Sequence, residues 1–328
     1  MCETGDCLPV RQISVVSGEE ARGSASEKAG ERHGPLRTFP SVMSVGPLSE
    51  AHITKKRVSV IIPFTRPDTV GNAIESVLSQ GFPGDELEII VVGLDSQRLV
   101  QRWPQIRPVD VGAILQPGKA RNMGAEVATG DFLLFLDDDC EAQEGWIREN
   151  LAELSQEKVG AVSGRVIGKS SAIFSRCVDY SNFGLCQTQK RREGRLWTAT
   201  LGMRKRTFEE VGGFDRSLWV QEDIDLCFRL GRLGYRTIYA PKIKILHDHG
   251  RRTLRSFLGY LYWGGRTGGI DVEARNADAS YRNRLLSRLT SPLAYLPFVL
   301  PFSMAGTLST LLANFRENKE VLFLSPLI

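Results

Sequence analysis

Hydrophobic and polar positions follow two alternating periods through the first half of the chain. Val58-Ser59-Val60-Ile61-Ile62-Pro63 is a β-branched run stopped by proline, and Asp68 to Gln80 carries apolar residues at helical spacing, so a strand feeding a helix is predicted. Leu87-Glu88-Ile89-Ile90-Val91-Val92 predicts a second strand and Gly118 to Thr129 a second helix. Phe132 to Leu136 predicts a third strand, apolar enough to be buried on both faces. Strands alternating with helices imply an α/β fold on a doubly wound, largely parallel sheet. Ligands of such sheets bind beyond the carboxyl ends of the strands, where Pro63 and Asp137-Asp138-Asp139 are expected.

Three adjacent carboxylates repel one another unless water, a cation or hydrogen bonds offset the charge. Either they end the strand in a solvated turn, or they hold a hard divalent cation such as Mg²⁺ together with substrate phosphates.

At 328 residues the chain can bury a substantial core. A net charge of +4 with no recognised nucleic-acid motif gives no support for nucleic-acid binding. The six cysteines are scattered without a Cys-x-x-Cys pair, so neither a zinc site nor a disulfide framework is indicated. Residues 1–57 read as a disordered tail, because Ser17 to Gly34 contains scarcely any large apolar side chain. No compact apolar core of a secretory signal is found there, and export by that route is not expected.

Four further segments decide between the readings of the acidic cluster. Val58-Ser-Val-Ile-Ile-Pro63, Gly118-Lys-Ala-Arg-Asn-Met-Gly124, Gly130-Asp-Phe-Leu-Leu-Phe-Leu-Asp-Asp-Asp139, and Val211-Gly-Gly-Phe-Asp215 followed by Gln221-Glu-Asp-Ile-Asp-Leu226 occur in an order that resembles the family 2 glycosyltransferases. The similarity covers about Val58 to Gly268. It implies a GT-A-type domain over 58–270, in which an Asp-x-Asp motif holds Mg²⁺ or Mn²⁺ against the diphosphate of a nucleotide sugar. It also implies inversion at the anomeric carbon.

Carried over by position, the resemblance implies that Pro63, Phe64, Thr65, Arg121, Asp137 and Asp138 contact the donor. Asp137 and Asp139 would frame the metal motif, with Asp139 the leading ligand and His247 a third. The family's aspartate after the second strand is missing from Val92-Gly93-Leu94, and Asp95 is the candidate substitute. Arg121 and Lys119 either neutralise phosphate or lie solvated on a helix, with Asn122 as a local hydrogen-bonding group.

Inverting transfer needs a base to deprotonate the acceptor hydroxyl. The Glu-Asp motif implies Asp223 as that base and Glu222 as an orienting or acceptor-contacting group, with Asp225 the alternative. Asp223 would equally serve as a helix cap. Trp219 is a candidate sugar-stacking residue or a packing residue. His247 and His249 alternate and so would share one side of a strand. Arg191-Arg192 and Arg204-Lys205-Arg206 are either solvated or anion-facing.

Arginines interleaved with Phe257, Leu258, Tyr260, Leu261, Tyr262 and Trp263 suit a membrane interface. Arg266 is a second candidate for the diphosphate. Leu289 to Phe315 contains no charged residue and is long enough to cross a bilayer, which takes about 20 apolar residues. Its prolines equally suit a re-entrant or interfacial hairpin. Residues 271–328 are therefore expected to form a membrane-associated helical segment, with the catalytic domain cytoplasmic by the positive-inside tendency. The apolar end, Val321 to Ile328, lies at a membrane region or has been cut within one.

Together these features predict a metal-dependent glycosyltransferase acting on a glycan, lipid-linked or protein acceptor. The Gln-x-x-Arg-Trp signature of the processive members is not found after Asp223, so single-sugar transfer is expected. The alternatives are a sugar-phosphate nucleotidyltransferase and a non-catalytic nucleotide-sugar-binding membrane protein.

Overall fold

A computed structural model describes residues 57–259, 304 and 307–324. The tail before Arg57, Arg266, and most of the uncharged stretch 289–315 lie outside the described residues.

The predicted strands form as β1 (Val58–Phe64), β2 (Leu87–Gly93) and, after β3 (Ile106–Asp110), β4 (Phe132–Leu136). They pair in parallel in the order β3-β2-β1-β4, with Val58 beside both Leu87 and Phe132. Proline opens both connecting helices, α1 (Pro67–Leu78) and α2 (Pro117–Val127), where its missing N–H is not needed by the helix. Every residue of β4 is buried, as an apolar strand covered on both faces must be.

Beyond β4 the sheet becomes mixed. The short β5 (Cys140–Ala142) and α3 (Trp146–Leu154) follow the acidic cluster, and then come β6 (Val159–Gly168) and α4 (Ile173–Phe183). β7 (Arg192–Glu193), β8 (Thr200–Arg204), α5 (Lys205–Glu210), α6 (Glu222–Arg232) and β9 (Arg236–His247) complete it. β8 runs antiparallel to β4 and β6, whereas β6 and β9 are parallel. The order is β3-β2-β1-β4-β8-β6-β9-β5, with β7 on β9. Parallel architecture therefore holds for the first four strands and gives way to alternating directions beside them.

Arg204 resolves neither as a solvated nor as an anion-facing residue. Its guanidinium is buried and donates to the carbonyls of Leu154, Gln156 and Val159, tying β8 to the end of α3. Arg191 pairs with Glu153, and Arg192 lies over the rings of Trp197 and Tyr239.

Residues 307–314 are helical, and a last helical turn spans Val321–Leu324. This segment docks on α4 and the turn after it. Asn314 donates to Gly184 O at 2.8 Å, Glu317 accepts from Gln189 N at 2.7 Å, and Glu320 takes both the Tyr180 hydroxyl and Arg176. Val321 and Leu324 complete an apolar cluster with Cys177, Val178, Tyr180 and Phe257. Among the described residues no helix is long and apolar enough to cross a membrane.

Candidate active site

The carboxyl ends of β1, β2 and β4 open onto one cavity of about 130 Å³. Pro63, Phe64, Thr65, Arg121, Asp137 and Asp138 all line it, beside an apolar wall that includes Leu94 and Ile114. Asp95 is not among the lining residues. It sits in the left-handed region at φ 58°, half-exposed and paired with Arg98. The reason the expected aspartate is displaced lies at Gly93, where a Cβ would fall 2.3 Å from the carbonyl oxygen of Phe64. Only glycine permits that approach of β2 to β1.

The three adjacent aspartates diverge. Asp138 turns back into the protein and accepts from the backbone N–H of Thr65 at 2.6 Å and of Arg66 at 2.7 Å, as well as from the Arg66 guanidinium. Burial pushes its pKa up, against the pull of Arg66 and those N–H groups. Its carboxylate thus fixes the loop after β1 at the edge of the cavity it lines. Asp137 instead takes Arg121 at 2.6 Å. Asp139 faces Arg66 at 2.7 Å and His247 Nε2 at 3.4 Å.

Asp139, Cys140 and His247 place their ligand atoms within 4.8 Å of one another. The expected trio had Asp137 in place of Cys140, but Asp137 is committed to Arg121. Burial raises the Cys140 thiol well above its ordinary pKa, and neighbouring carboxylates add to this, so it remains a thiol. A carboxylate oxygen and an imidazole nitrogen remain, a donor pair suited to Mn²⁺ or a similar ion. Burial opposes the charge on each, yet their mutual attraction wins, lowering the Asp139 pKa and raising that of His247. His247 also packs edge-on against Phe183 and has no partner for its buried Nδ1. His249 is not brought into this group; its ring accepts from Arg251 N and faces Ser175 and Asp179.

Arg121 links this corner to the second acidic motif. Its guanidinium, 3% exposed, donates to Asp137 through one nitrogen and to Glu222 through another at 2.7 Å. Burial would lower its pKa, but those two carboxylates hold it above the ordinary value. It is therefore neither a solvated helix residue nor a free phosphate ligand. Glu222, also held by Thr198, is fixed as the partner of Arg121. Asn122, on the same helix, clasps Phe214 by both its N–H and its carbonyl, at 2.9 and 2.8 Å. The preceding Gly212 and Gly213 have φ of 80° and 68°, a turn that side chains rarely tolerate.

Two residues before Asp223, Gln221 is held in the left-handed region at φ 63°, a conformation that non-glycine residues keep only under local constraint. The Asp223 carboxylate accepts from the adjacent Ile224 N at 2.8 Å. Burial, then repulsion from Glu222, raises its pKa to about 7. Asp225, two residues on, is neutralised by Arg229 at 2.7 Å along α6. Trp219 is exposed.

Residues 59–209 match the model of glycosyl transferase family 2. The matched span runs from β1 to α5 and carries the cavity and the three aspartates. A pre-mycofactocin glycosyltransferase of Mycobacterium tuberculosis is 30% identical over 166 residues, covering 48% of this chain and 35% of that protein. Glycosyltransferase AglE of Haloferax volcanii is 26% identical over 57% of this chain and 65% of its own length. The chain thus spans about a third of the length of the mycobacterial relative. Among solved structures, the mannosyltransferase PcManGT of Pyrobaculum calidifontis, in complex with GDP-Man and Mn²⁺, shares the fold. Its TM-score is 0.57 at 19% identity, covering 81% of this chain and 77% of that one.

Proposed function

We propose that this protein is an inverting glycosyltransferase that moves a sugar from a nucleoside diphosphate sugar to an acceptor hydroxyl. The observation that carries the reading is Arg121, which ties the cavity-lining Asp137 to Glu222 and so sets the partly buried Asp223 on the same side as the donor cavity. Asp223 would take the proton of the acceptor hydroxyl as its oxygen bonds to the anomeric carbon. As that bond forms, the bond from the anomeric carbon to the diphosphate breaks on the opposite face, and its electron pair leaves with the nucleoside diphosphate. A divalent cation held by Asp139 and His247 would supply charge neutralisation for the diphosphate. The apolar wall of Leu94 and Ile114 suits a nucleobase face, and Thr65 and the adjoining backbone suit the ribose and phosphates.

The test is nucleoside diphosphate release from a panel of nucleotide sugars with Mg²⁺, Mn²⁺ or chelator. Metal-dependent release from one donor is expected. Release of pyrophosphate instead would favour nucleotidyl transfer, and no release from any donor would sink the reading.

We also propose that the domain works at a membrane surface. Met304, Leu308, Leu312 and Phe315 recur at helical spacing and are all exposed, as are Leu322 and Phe323. The polar face carrying Thr310 and Asn314 is the one docked on the protein, so the apolar stripe points outward. A cytoplasmic position belongs to the same proposal through the arginines before Leu289. Co-sedimentation with phosphatidylglycerol vesicles, lost in the L308S/L312S double variant, is expected; a wild-type protein that stays in the supernatant overturns it.

A further inference from the structure

Between α4, the strand-leading residues 195–197 and the docked segment 307–310 lies a second cavity, of about 370 Å³. That volume falls within the range of about 300–1,000 Å³ typical of small-molecule sites. Tyr180, Ser181, Asn182, Arg195 and Trp197 line one side. Thr307, Ser309 and Thr310 line the other.

Short links of sequence and hydrogen bonding run from the cavity wall to the proposed base. Trp197 on its wall precedes Thr198, whose hydroxyl binds Glu222 at 3.4 Å, and Glu222 precedes Asp223. The charge of Arg195, also on the wall, is felt by the Asp223 carboxyl. Leu185 lines the cavity, and its neighbour Cys186 feels the charge of Asp223 in turn.

The lining has a definite chemistry. Hydroxyls, one amide and one guanidinium surround a tryptophan ring, and a side chain bearing many hydroxyl groups is matched by such donors and acceptors while its C–H face stacks on the indole.

We infer that this cavity is the acceptor subsite, that it takes a saccharide, and that the carboxyl-terminal segment builds one of its walls. The inference rests on the glycosyl-transfer reading above. The segment is held in place by the Glu320 contacts with Tyr180 and Arg176, by Asn314 on Gly184, and by Thr310 packed against Gly184. It therefore has two faces with separate tasks: the polar one closes the saccharide cavity, and the apolar one points away from the protein. Acceptor choice is then set in part by residues more than a hundred positions from the rest of the wall, outside the matched span 59–209.

The test uses the full chain, the donor that gives nucleoside diphosphate release, and p-nitrophenyl glycosides as acceptor probes, with a Ser/Thr-rich peptide in parallel. Asn182→Trp and Ser309→Trp each fill the cavity from one wall at an exposed position. Each is expected to raise the KM for the accepted glycoside at least about tenfold while the donor KM stays within about twofold. Two variants on opposite walls guard against one that fails to fold. Transfer to a glycoside with an acceptor KM unmoved in both variants overturns the location. Transfer to the peptide alone, or donor hydrolysis without transfer to any glycoside, overturns the saccharide assignment. A wild-type chain that releases no nucleoside diphosphate sinks the transferase reading itself, and the subsite with it.

Discussion

The corner built by Asp137, Asp138 and Asp139 and the corner built by Glu222 and Asp223 are both acidic, and they handle their charge by opposite means. In the first, every carboxylate has a cationic partner: Arg121 for Asp137, Arg66 for Asp138, Arg66 and His247 for Asp139. In the second, Glu222 takes Arg121, and at Asp223 burial and the like charge of Glu222 outweigh the attraction of Arg121 and Arg195, raising its pKa to about 7. A corner of carboxylates that gathers positive charge suits a metal cation and a diphosphate. A corner that raises proton affinity suits a base that must take a proton near neutral pH and later release it.

The sharpest way to break this contrast is Asp223→Asn. Turnover is expected to fall by about 10²–10⁴ with the melting temperature little changed, and near-normal turnover would remove Asp223 from the mechanism. Arg121→Met attacks what the two corners share. It leaves two carboxylates without their cation, so urea denaturation should reveal a loss of about 3–5 kcal/mol; a loss below about 1 kcal/mol would show that the arginine does not hold the corners together.

His247→Ala probes the first corner alone. Mn²⁺ affinity, measured by calorimetry without any substrate, should fall at least about tenfold, since one of two strong ligands is gone. The pH profile probes the second. Because the Asp223 pKa is raised, the carboxyl is protonated below about pH 7, and kcat/KM should drop roughly tenfold per unit as pH falls below that value. A profile flat from about pH 5 to pH 8 would contradict the assignment. The smallest effect is expected of Asp225→Asn, which removes a pair within α6 worth about 0.5 kcal/mol and should leave turnover within about twofold. A large loss there would move the base from Asp223 to Asp225.

Much of the donor half was legible because its signals are local. The β-branched run of β1, the apolar run of β4 and the helical spacing of α1 and α2 each declare an element within a dozen residues. The other half was less so. β6, Val-Gly-Ala-Val-Ser-Gly-Arg-Val-Ile-Gly, mixes small and apolar residues without a clean period, and it forms a strand because β8 and β9 flank it. α4 carries Asp179 and Ser175 on its buried face, the reverse of what a polar residue announces in a sequence. The cavity wall at 307–310 sits in a stretch that hydropathy alone assigns to a membrane, and nothing in its own pattern reveals that Glu320 and Asn314 anchor it to α4.

The sequence by itself determined the strand-and-helix alternation, the position of the acidic motifs at strand and helix ends, and their order along the chain. Periodicity and turn chemistry act over a few residues and are written into them directly. Only the tertiary structure decided that Asp138 braces a loop, that Cys140 rather than Asp137 lies with Asp139 and His247, that Asp95 stands off the cavity, and that Arg121 spans 101 positions to hold Glu222. Each of these is a choice of polar partner that more than one residue of the sequence could have filled. Such choices are made by distance and burial, which the chain acquires only once its remote segments are packed together.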